Sequence, residues 1–428
     1  MRTRTLVATN TLAQIVGKFI TAGVTFITTI LIARYYGVSG YGEFTKITAF
    51  IALFYLVSDF GFNAIVLRLI SEQPKKENYF FQNLLALRIV FSLFVTGLAV
   101  FVAFFLPFNP VTFTGFTPLS KMGIFIMSFT ILTQAIYTTA NLIFQKNLRY
   151  DKSIIASSIG SIAGLLILLI LLFYRTSLLL SLFSFVFGGI LMAIVSLYLI
   201  EALRKLKFET KIDFALWKKI FKETLPLGLT LVFNLIYFRV DTFILTYFRS
   251  TFEVGIYGLA YKFFEFPLTI PTFFMNSLYP LLLVESRIKN QESRIIKKSF
   301  HFLLFASLIF VSLCLFLSPL LTLIKPEFSS SVLPFKILSL SLPFFFLSSL
   351  FMWILISRGK QKLLMIIYSF TMILNIILNL IFIPTHGYIA AAIITGVSEA
   401  VVMLFTGVAS FRLLNQNLSW IGNLKIKN

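Results

Sequence analysis

Residues 203–222 read LRKLKFETKIDFALWKKIFK, and seven of these side chains, Arg204, Lys205, Lys207, Lys211, Lys218, Lys219 and Lys222, are cationic. Long apolar stretches lie on both sides of the run. A Lys or Arg at the centre of a hydrocarbon layer costs roughly 2.5 to 3.5 kcal/mol on insertion scales, so this run stays in water or among lipid headgroups. Cations that flank membrane spans are retained on the cytoplasmic side, and the run therefore sets the orientation of the chain. It divides the sequence into an N-terminal lobe, 1–203, a basic cytoplasmic linker, 204–219, and a C-terminal lobe, 220–428, that ends in a short cytoplasmic tail.

The composition requires lipid as solvent. A chain of 428 residues that is 58% hydrophobic and 12% charged, with a mean hydropathy of +0.93, has more apolar surface than a water-soluble core can hide. The net charge of +21 comes from short clusters between apolar runs and forms no continuous basic face, so it reads as topology rather than nucleic-acid binding. The single cysteine, Cys314, supports neither a disulfide framework nor a thiolate site. His301 and His386 are far apart in sequence, and no metal is expected. The apolar stretch after the basic start MRTRTLVATN is too long for a signal-peptide core, so it reads as a retained first span.

At about 20 apolar residues per helical span, about twelve segments emerge. In the first lobe they are 11–36, 43–67, 80–106, 121–144, 153–174 and 178–203, with an aqueous loop at 107–118. In the second they are 220–248, 253–284, 299–324, 331–357, 362–383 and 387–413. Threading the chain through them puts nearly all cations on one side: Arg2 and Arg4, Arg68 to Lys76, Lys146 to Lys152, the linker, Arg287 to Lys298, Arg358 to Lys362, and Arg412 with Lys425 and Lys427. The other side receives only Arg34, Lys121, Arg175, Arg249 and Lys325, which indicates an even number of spans and two cytoplasmic termini. The expected fold is an all-α polytopic membrane protein whose two six-helix lobes are related by a pseudo-two-fold axis along the membrane normal. Internal similarity agrees in register: RYYGVSGYGEFTKI (34–47) is similar to YFRSTFEVGIYGLAY (247–261), and the basic turns QKNLRYDK (145–152) and SRGKQK (357–362) fall at matching places.

Three stretches carry a resemblance to a known family: NTLAQIVGKF with LIARYYGVSGYGEF, FRVDTFILTYF running into EVGIYGLAYKFFE, and NIILNLIFIPTHGYIAAAIITGVSEA. Together they resemble polysaccharide or O-antigen flippases of the Wzx type, in the multidrug/oligosaccharidyl-lipid/polysaccharide (MOP) exporter superfamily. The resemblance implies a MATE-like fold that moves an undecaprenyl-pyrophosphate-linked oligosaccharide from the cytoplasmic to the outer leaflet of a bacterial or archaeal plasma membrane. It also implies alternating access, coupling to protons or sodium with no other cofactor, and membrane lipids and a glycan polymerase as partners.

Some cations remain inside the spans. Lys18 and Arg88 fall in the cytoplasmic half of the first lobe, Arg239 deep in the seventh span and Lys262 in the eighth. A charge at such depth persists where it faces protein, a partner or a wet cavity, and a diphosphate crossing the membrane needs fixed cations in place of lost water. These four are the candidate substrate-binding residues. Lys46 and Lys336 are read as snorkelling to a nearby interface. The candidate ion-coupling carboxylates are Asp59, Glu399, Asp241 and Glu265. Asp59 and Glu399 have no cation within a helical turn, although a packed Asp59 bonded to backbone groups fits equally well. Lys262 and Glu265, three apart, can neutralise each other. Arg239 and Asp241, two apart, point to different sides and need other partners, with Asp241 holding the seventh span to a neighbour. Pro267 and Pro271 interrupt the eighth span as a gate or a static kink. Gly160, Gly164, Gly188 and Gly189 allow close helix packing.

Rival functions are weighed, among them a lipid II flippase, which would share the cationic cavity but whose familiar examples carry two further spans. A multidrug exporter would favour carboxylates in the cavity, whereas the leftover charge here is mainly cationic. A membrane glycosyltransferase or polymerase would want a large aqueous loop or an Asp-x-Asp cluster, and the sequence has neither.

Overall fold

The computed structural model describes residues 2–204, 212–285 and 289–422 of the chain. The middle of the expected linker, 205–211, lies outside the described residues, as do Arg287, Lys425 and Lys427. Among the described residues, eight helical stretches are long and apolar enough to cross a membrane. Two of them, Gly17–Glu72 and Gln361–Leu414, are each a pair of spans joined at a kink. Backbone groups in hydrocarbon must bond within their own segment, which is why almost every apolar run here becomes a helix. The chain forms two compact units, Met1–Ile236 and Tyr237–Asn428.

In the first unit α1 (Arg2–Asp59) is bent at Gly37, whose φ of 70° lies in the left-handed region open to glycine. The two arms of α1 are the first expected span and most of the second. The second span then breaks, a feature the hydropathy pattern did not reveal. Phe60 and Gly61 both have positive φ, 44° and 77°, before α2 (Phe62–Glu72) resumes. Helix α3 (Glu77–Phe105) leads into a two-residue antiparallel ribbon, β1 (Phe108–Asn109) with β2 (Thr114–Gly115), paired Phe108 to Gly115. Helix α4 (Pro118–Lys146) starts where its sequence says it should: Thr117 Oγ1 accepts from the Ser120 N–H at 3.0 Å, and Pro118 takes the first position.

Helices α5 (Tyr150–Phe173) and α6 (Leu178–Arg204) make the most extensive pairing in the first unit. Their glycines cause it. A Cβ on Gly160 would stand 2.6 Å from the Gly188 carbonyl oxygen, and one on Gly188 2.7 Å from that of Gly160. Around α2 an apolar cluster joins Phe62, Val66 and Ile70 to Phe81 and Leu84 of α3, Ile143 and Phe144 of α4, and Ile220 of α7 (Phe214–Phe248). Helix α7 is capped by Asp213, whose Oδ1 accepts from the N–H groups of Ala215 and Leu216. The Tyr79 hydroxyl donates to the other oxygen, and these bonds hold the Asp213 carboxyl below its usual range. Besides the Tyr79 bond, an ion pair between Arg68 and Glu223 and the Asp213 N–H donating to Asn83 Oδ1 at 2.9 Å tie α7 and its cap to the rest of this unit.

In the second unit the eighth expected span is two helices, α8 (Thr251–Glu265) and α9 (Thr269–Glu285), parted at Pro267. Pro271 lies in the first turn of α9, where its missing N–H costs no helical bond. Helix α10 (Lys289–Leu317) is followed by 3-10 turns, then α11 (Val332–Leu340) and α12 (Leu342–Ser357), which divide the tenth expected span at Ser341. Helix α13 (Gln361–Gly422) carries the last two spans and bends at Gly387, φ 57°. There Arg249 donates to the Pro384 carbonyl at 3.2 Å and to Glu253 at 2.9 Å.

Substituting Gly160→Leu should force α5 from α6 and cost about 1 to 3 kcal/mol. It should visibly lower the thermal unfolding midpoint of the purified protein. Gly97→Leu, with nothing within 4 Å of its Cβ position, is the control that should leave the midpoint in place.

Candidate functional site

The break in the second span builds the first constellation. Asp59 is the last residue of α1, so its carbonyl has lost its helical donor, and Arg88 of α3 supplies one. Arg88 Nη2 donates to Asp59 Oδ1 at 2.7 Å and, more weakly, to the Asp59 carbonyl at 3.4 Å. Arg88 is only 1% exposed, and its guanidinium carbon lies 5.8 Å from the centre of the Phe62 ring. Among the described residues its buried Nε and Nη1 meet no acceptor. The Asp59 side chain, 39% exposed, opens on its other side to a cavity of about 210 Å³ that Tyr55, Ser58, Gln134 and Thr138 also line. No cation lies within a helical turn of Asp59, but one reaches it from another helix. Arg88 is twenty-nine residues away in sequence but on the adjoining helix.

Lys46 is also corrected. It is 1% exposed and does not snorkel. Its ammonium donates to the Gly115 carbonyl at 2.8 Å and lies 3.7 Å from Glu43, which in turn accepts from Thr117 and Ser120. The group pins the β1–β2 ribbon to the second arm of α1. Lys18, in the first arm of α1, is exposed, and Lys336 of α11 is half-buried.

The second unit holds a larger constellation. Arg239 on α7 reaches Glu265 Oε1 at 2.8 Å, and Lys262 on α8 reaches Glu265 Oε2 at 3.1 Å. One carboxylate thus holds two cations, and the trio keeps a net positive charge. The Tyr261 ring lies 5.6 Å under the Arg239 guanidinium. Asp241, 4% exposed, faces the other way, as its two-residue offset from Arg239 requires. It accepts from the Thr242 N–H at 2.6 Å, from the Tyr257 hydroxyl and, at 3.4 Å, from Thr395 of α13. Glu399 of α13, 3% exposed, accepts from the Tyr237 hydroxyl at 3.0 Å and from Ser348 of α12. Among the described residues neither Asp241 nor Glu399 makes an ion pair.

Sequence reasoning passed over the hydroxyl and amide partners. Tyr237 and Tyr257 looked like two aromatics among many. Asn375 and Asn379 had a usable signal, two amides four apart in an apolar helix, where polar groups face the bundle interior. Asn375 donates to Ser398 and Asn379 to Asn375, each at 2.9 Å. Among the described residues no three of His, Cys, Asp and Glu converge as metal ligands.

Removing the shared anion tests the trio. Glu265→Gln leaves Arg239 and Lys262 facing each other. It should cost about 1 to 3 kcal/mol, with part regained in Glu265→Gln/Lys262→Met, as read by thermal unfolding in detergent.

Comparison with known proteins gives the arrangement a context. The sequence model described as "Polysaccharide biosynthesis protein" matches residues 7–284, and the MatE model matches 226–381. No curated protein matches the sequence. Among solved structures, the lipid II flippase MurJ in an inward closed conformation superposes with a TM-score of 0.72 at 18% identity, covering 96% of this chain and 90% of that one. An inward-facing multidrug resistance MATE family transporter of the MOP superfamily gives 0.73 at 10% identity, over 94% and 95%. A MOP superfamily transporter from Pyrococcus furiosus, described by a reverse polarity of its binding pocket, gives 0.62 at 12% identity, over 96% and 95%. The chain is a multi-pass membrane protein with the fold of these MurJ and MATE structures, and it belongs to the polysaccharide biosynthesis protein family.

Proposed function

We propose that this protein carries an undecaprenyl-pyrophosphate-linked oligosaccharide, such as an O-antigen or capsule repeat unit, from the cytoplasmic to the outer leaflet of a bacterial or archaeal plasma membrane. Two lobes, 1–203 and 220–428, alternate access around the cytoplasmic linker 204–219, with both termini in the cytoplasm. A glycan polymerase receives the product. The family match across residues 7–284 carries this reading. The retained cations support it. Arg88 keeps two unused donors in the first unit, and the trio of Arg239, Lys262 and Glu265 keeps a positive charge in the second. Lys18 adds a further cation to the first unit, and within each unit these cations suit a diphosphate, since a guanidinium fork matches phosphate oxygens in geometry as well as charge.

Return of the empty carrier is driven by protons or sodium. Asp241 and Glu399 suit that task better than Asp59 and Glu265. Both are buried among hydroxyl donors, while the other two carboxylates already hold arginines. A buried carboxylate without a counter-cation is stabilised by taking a proton or a small cation. The same two residues, with the MatE match over 226–381, favour a second reading, export of organic cations in exchange for ions.

Transport in cells separates the two. Arg88→Ala with Lys18→Ala should abolish surface glycan while leaving the protein in the membrane. Full export by that double variant would remove both residues from the substrate site. Drug resistance conferred by the wild type and lost in Glu399→Gln, with glycan export untouched, would decide for the exporter.

A further inference from the structure

Arg88 is a buried cation with donors to spare. Among the described residues only its Nη2 is bonded, to Asp59, while Nε and Nη1 meet no acceptor. A guanidinium presents five donors in a flat fork, and a side-on anion would engage two of them at once. Asp59 engages the fork from one end, through a single carboxylate oxygen.

That carboxylate also sits at a joint. The residue after it, Phe60, is held at φ 44°, a conformation a bulky L side chain rarely adopts, and Gly61 follows at 77°. Strain of this kind persists only where surrounding contacts enforce it, and the Arg88 bonds to the carboxylate and carbonyl of Asp59 are such contacts. The cavity of about 210 Å³ beside Asp59 is large enough to hold water. Its polar lining from Tyr55, Ser58, Gln134 and Thr138 is uncharged, and Arg88 does not line it. Asp59 therefore links the cavity to the arginine. A cation has little reason to settle there, because Arg88 already neutralises the carboxylate at 2.7 Å.

We propose that Asp59 stands on Arg88 in place of a phosphate, so that the first unit carries a closed anion subsite that opens when the carboxylate leaves and a diphosphate takes the fork. The proposal rests on the reading of the protein as a carrier of a lipid-linked diphosphate. It adds that the site is occupied by the protein's own anion when no substrate is bound. Exchange of one anion for another keeps Arg88 paired throughout, which avoids the cost of an uncompensated buried charge. It also gives the helix break a role, since release of Asp59 removes the bonds that hold Phe60 in its strained conformation.

A double-mutant cycle tests the exchange, with inorganic pyrophosphate as probe and full-length protein in lipid nanodiscs, read by titration calorimetry. Asp59→Asn keeps the shape and removes the competing charge, and it should bind pyrophosphate on the order of tenfold more tightly than wild type. Arg88→Gln should bind on the order of tenfold more weakly, and Asp59→Asn/Arg88→Gln should match Arg88→Gln, because the gain acts through the guanidinium. Asp59→Ala repeats the measurement if the asparagine variant does not elute as a folded protein. Three results overturn the proposal: no gain in either Asp59 variant, a gain that survives loss of Arg88 and so reflects general charge, or no pyrophosphate binding to any form. Each leaves the proposed function standing if wild type exports glycan and the Lys18, Arg88 double variant does not.

Discussion

A charge inside an apolar bundle must meet an opposite charge or a set of hydrogen-bond donors within the protein, because lipid offers neither. Most of the polar architecture here follows from that requirement. Arg88 is tolerated because Asp59 reaches it, Arg239 and Lys262 because Glu265 lies between them, and Lys46 because Glu43 and a ribbon carbonyl meet its ammonium. Asp241 and Glu399 solve the same problem with hydroxyls in place of cations. The two solutions differ in what they permit. An ion pair fixes the charge state of both partners, whereas a carboxylate held by hydroxyls can change its own by accepting a proton or a small cation.

Helix breaks place the paired carboxylates. Asp59 ends α1 before Phe60 and Gly61, and Glu265 ends α8 before Pro267, so in each unit the anion occupies the last helical position before an interruption of the chain's second or eighth span. The C-terminal end of a helix carries a partial negative charge from unbonded carbonyls, which disfavours a further carboxylate but attracts a cation. An arginine drawn to that end satisfies both. Arg88 shows this directly, bonding the side chain and the backbone carbonyl of the same residue. The break and the ion pair therefore depend on each other: without the interruption the carbonyl would be taken by the helix, and without the arginine the carboxylate would add to an already negative terminus.

How much of this was legible in the sequence depended on distance along the chain. Most span positions followed from hydropathy, which acts over a window of about 20 residues. The Lys262 and Glu265 pair was legible because a spacing of three fixes one helical face. The opposed directions of Arg239 and Asp241 were legible for the same reason. Asp59 with Arg88 was not, because the two residues lie on different helices and no periodicity links them. The break at Phe60 was hidden as well: a phenylalanine carries no turn signal, and Gly61 alone, within LVSDFGFN, is an ordinary membrane-helix glycine. Lys46 was misread because stem length suggests snorkelling, while its real partner, Gly115, belongs to a loop whose folding back cannot be read from local pattern.

The two units also divide their polar residues differently, and that difference bears on how the proposed carrier could work. Beside its small polar cavity the first unit sets one arginine against one carboxylate, which is balanced and leaves guanidinium donors unused. The second sets two cations against one carboxylate and adds two further carboxylates that make no ion pair among the described residues. Thr395 and Glu399, four residues apart on α13, bring the Asp241 and Glu399 clusters onto one helix face, so a change of charge at either site is felt by the same element. A ligand can shift a conformational equilibrium only by the difference in its affinity for the two states. Ion binding at Asp241 or Glu399 would bias α13 against α7 and α12 within the second unit, whereas anion exchange at Arg88 would bias the joint between α1 and α2 within the first. On this reading the substrate and the driving ion act on different hinges.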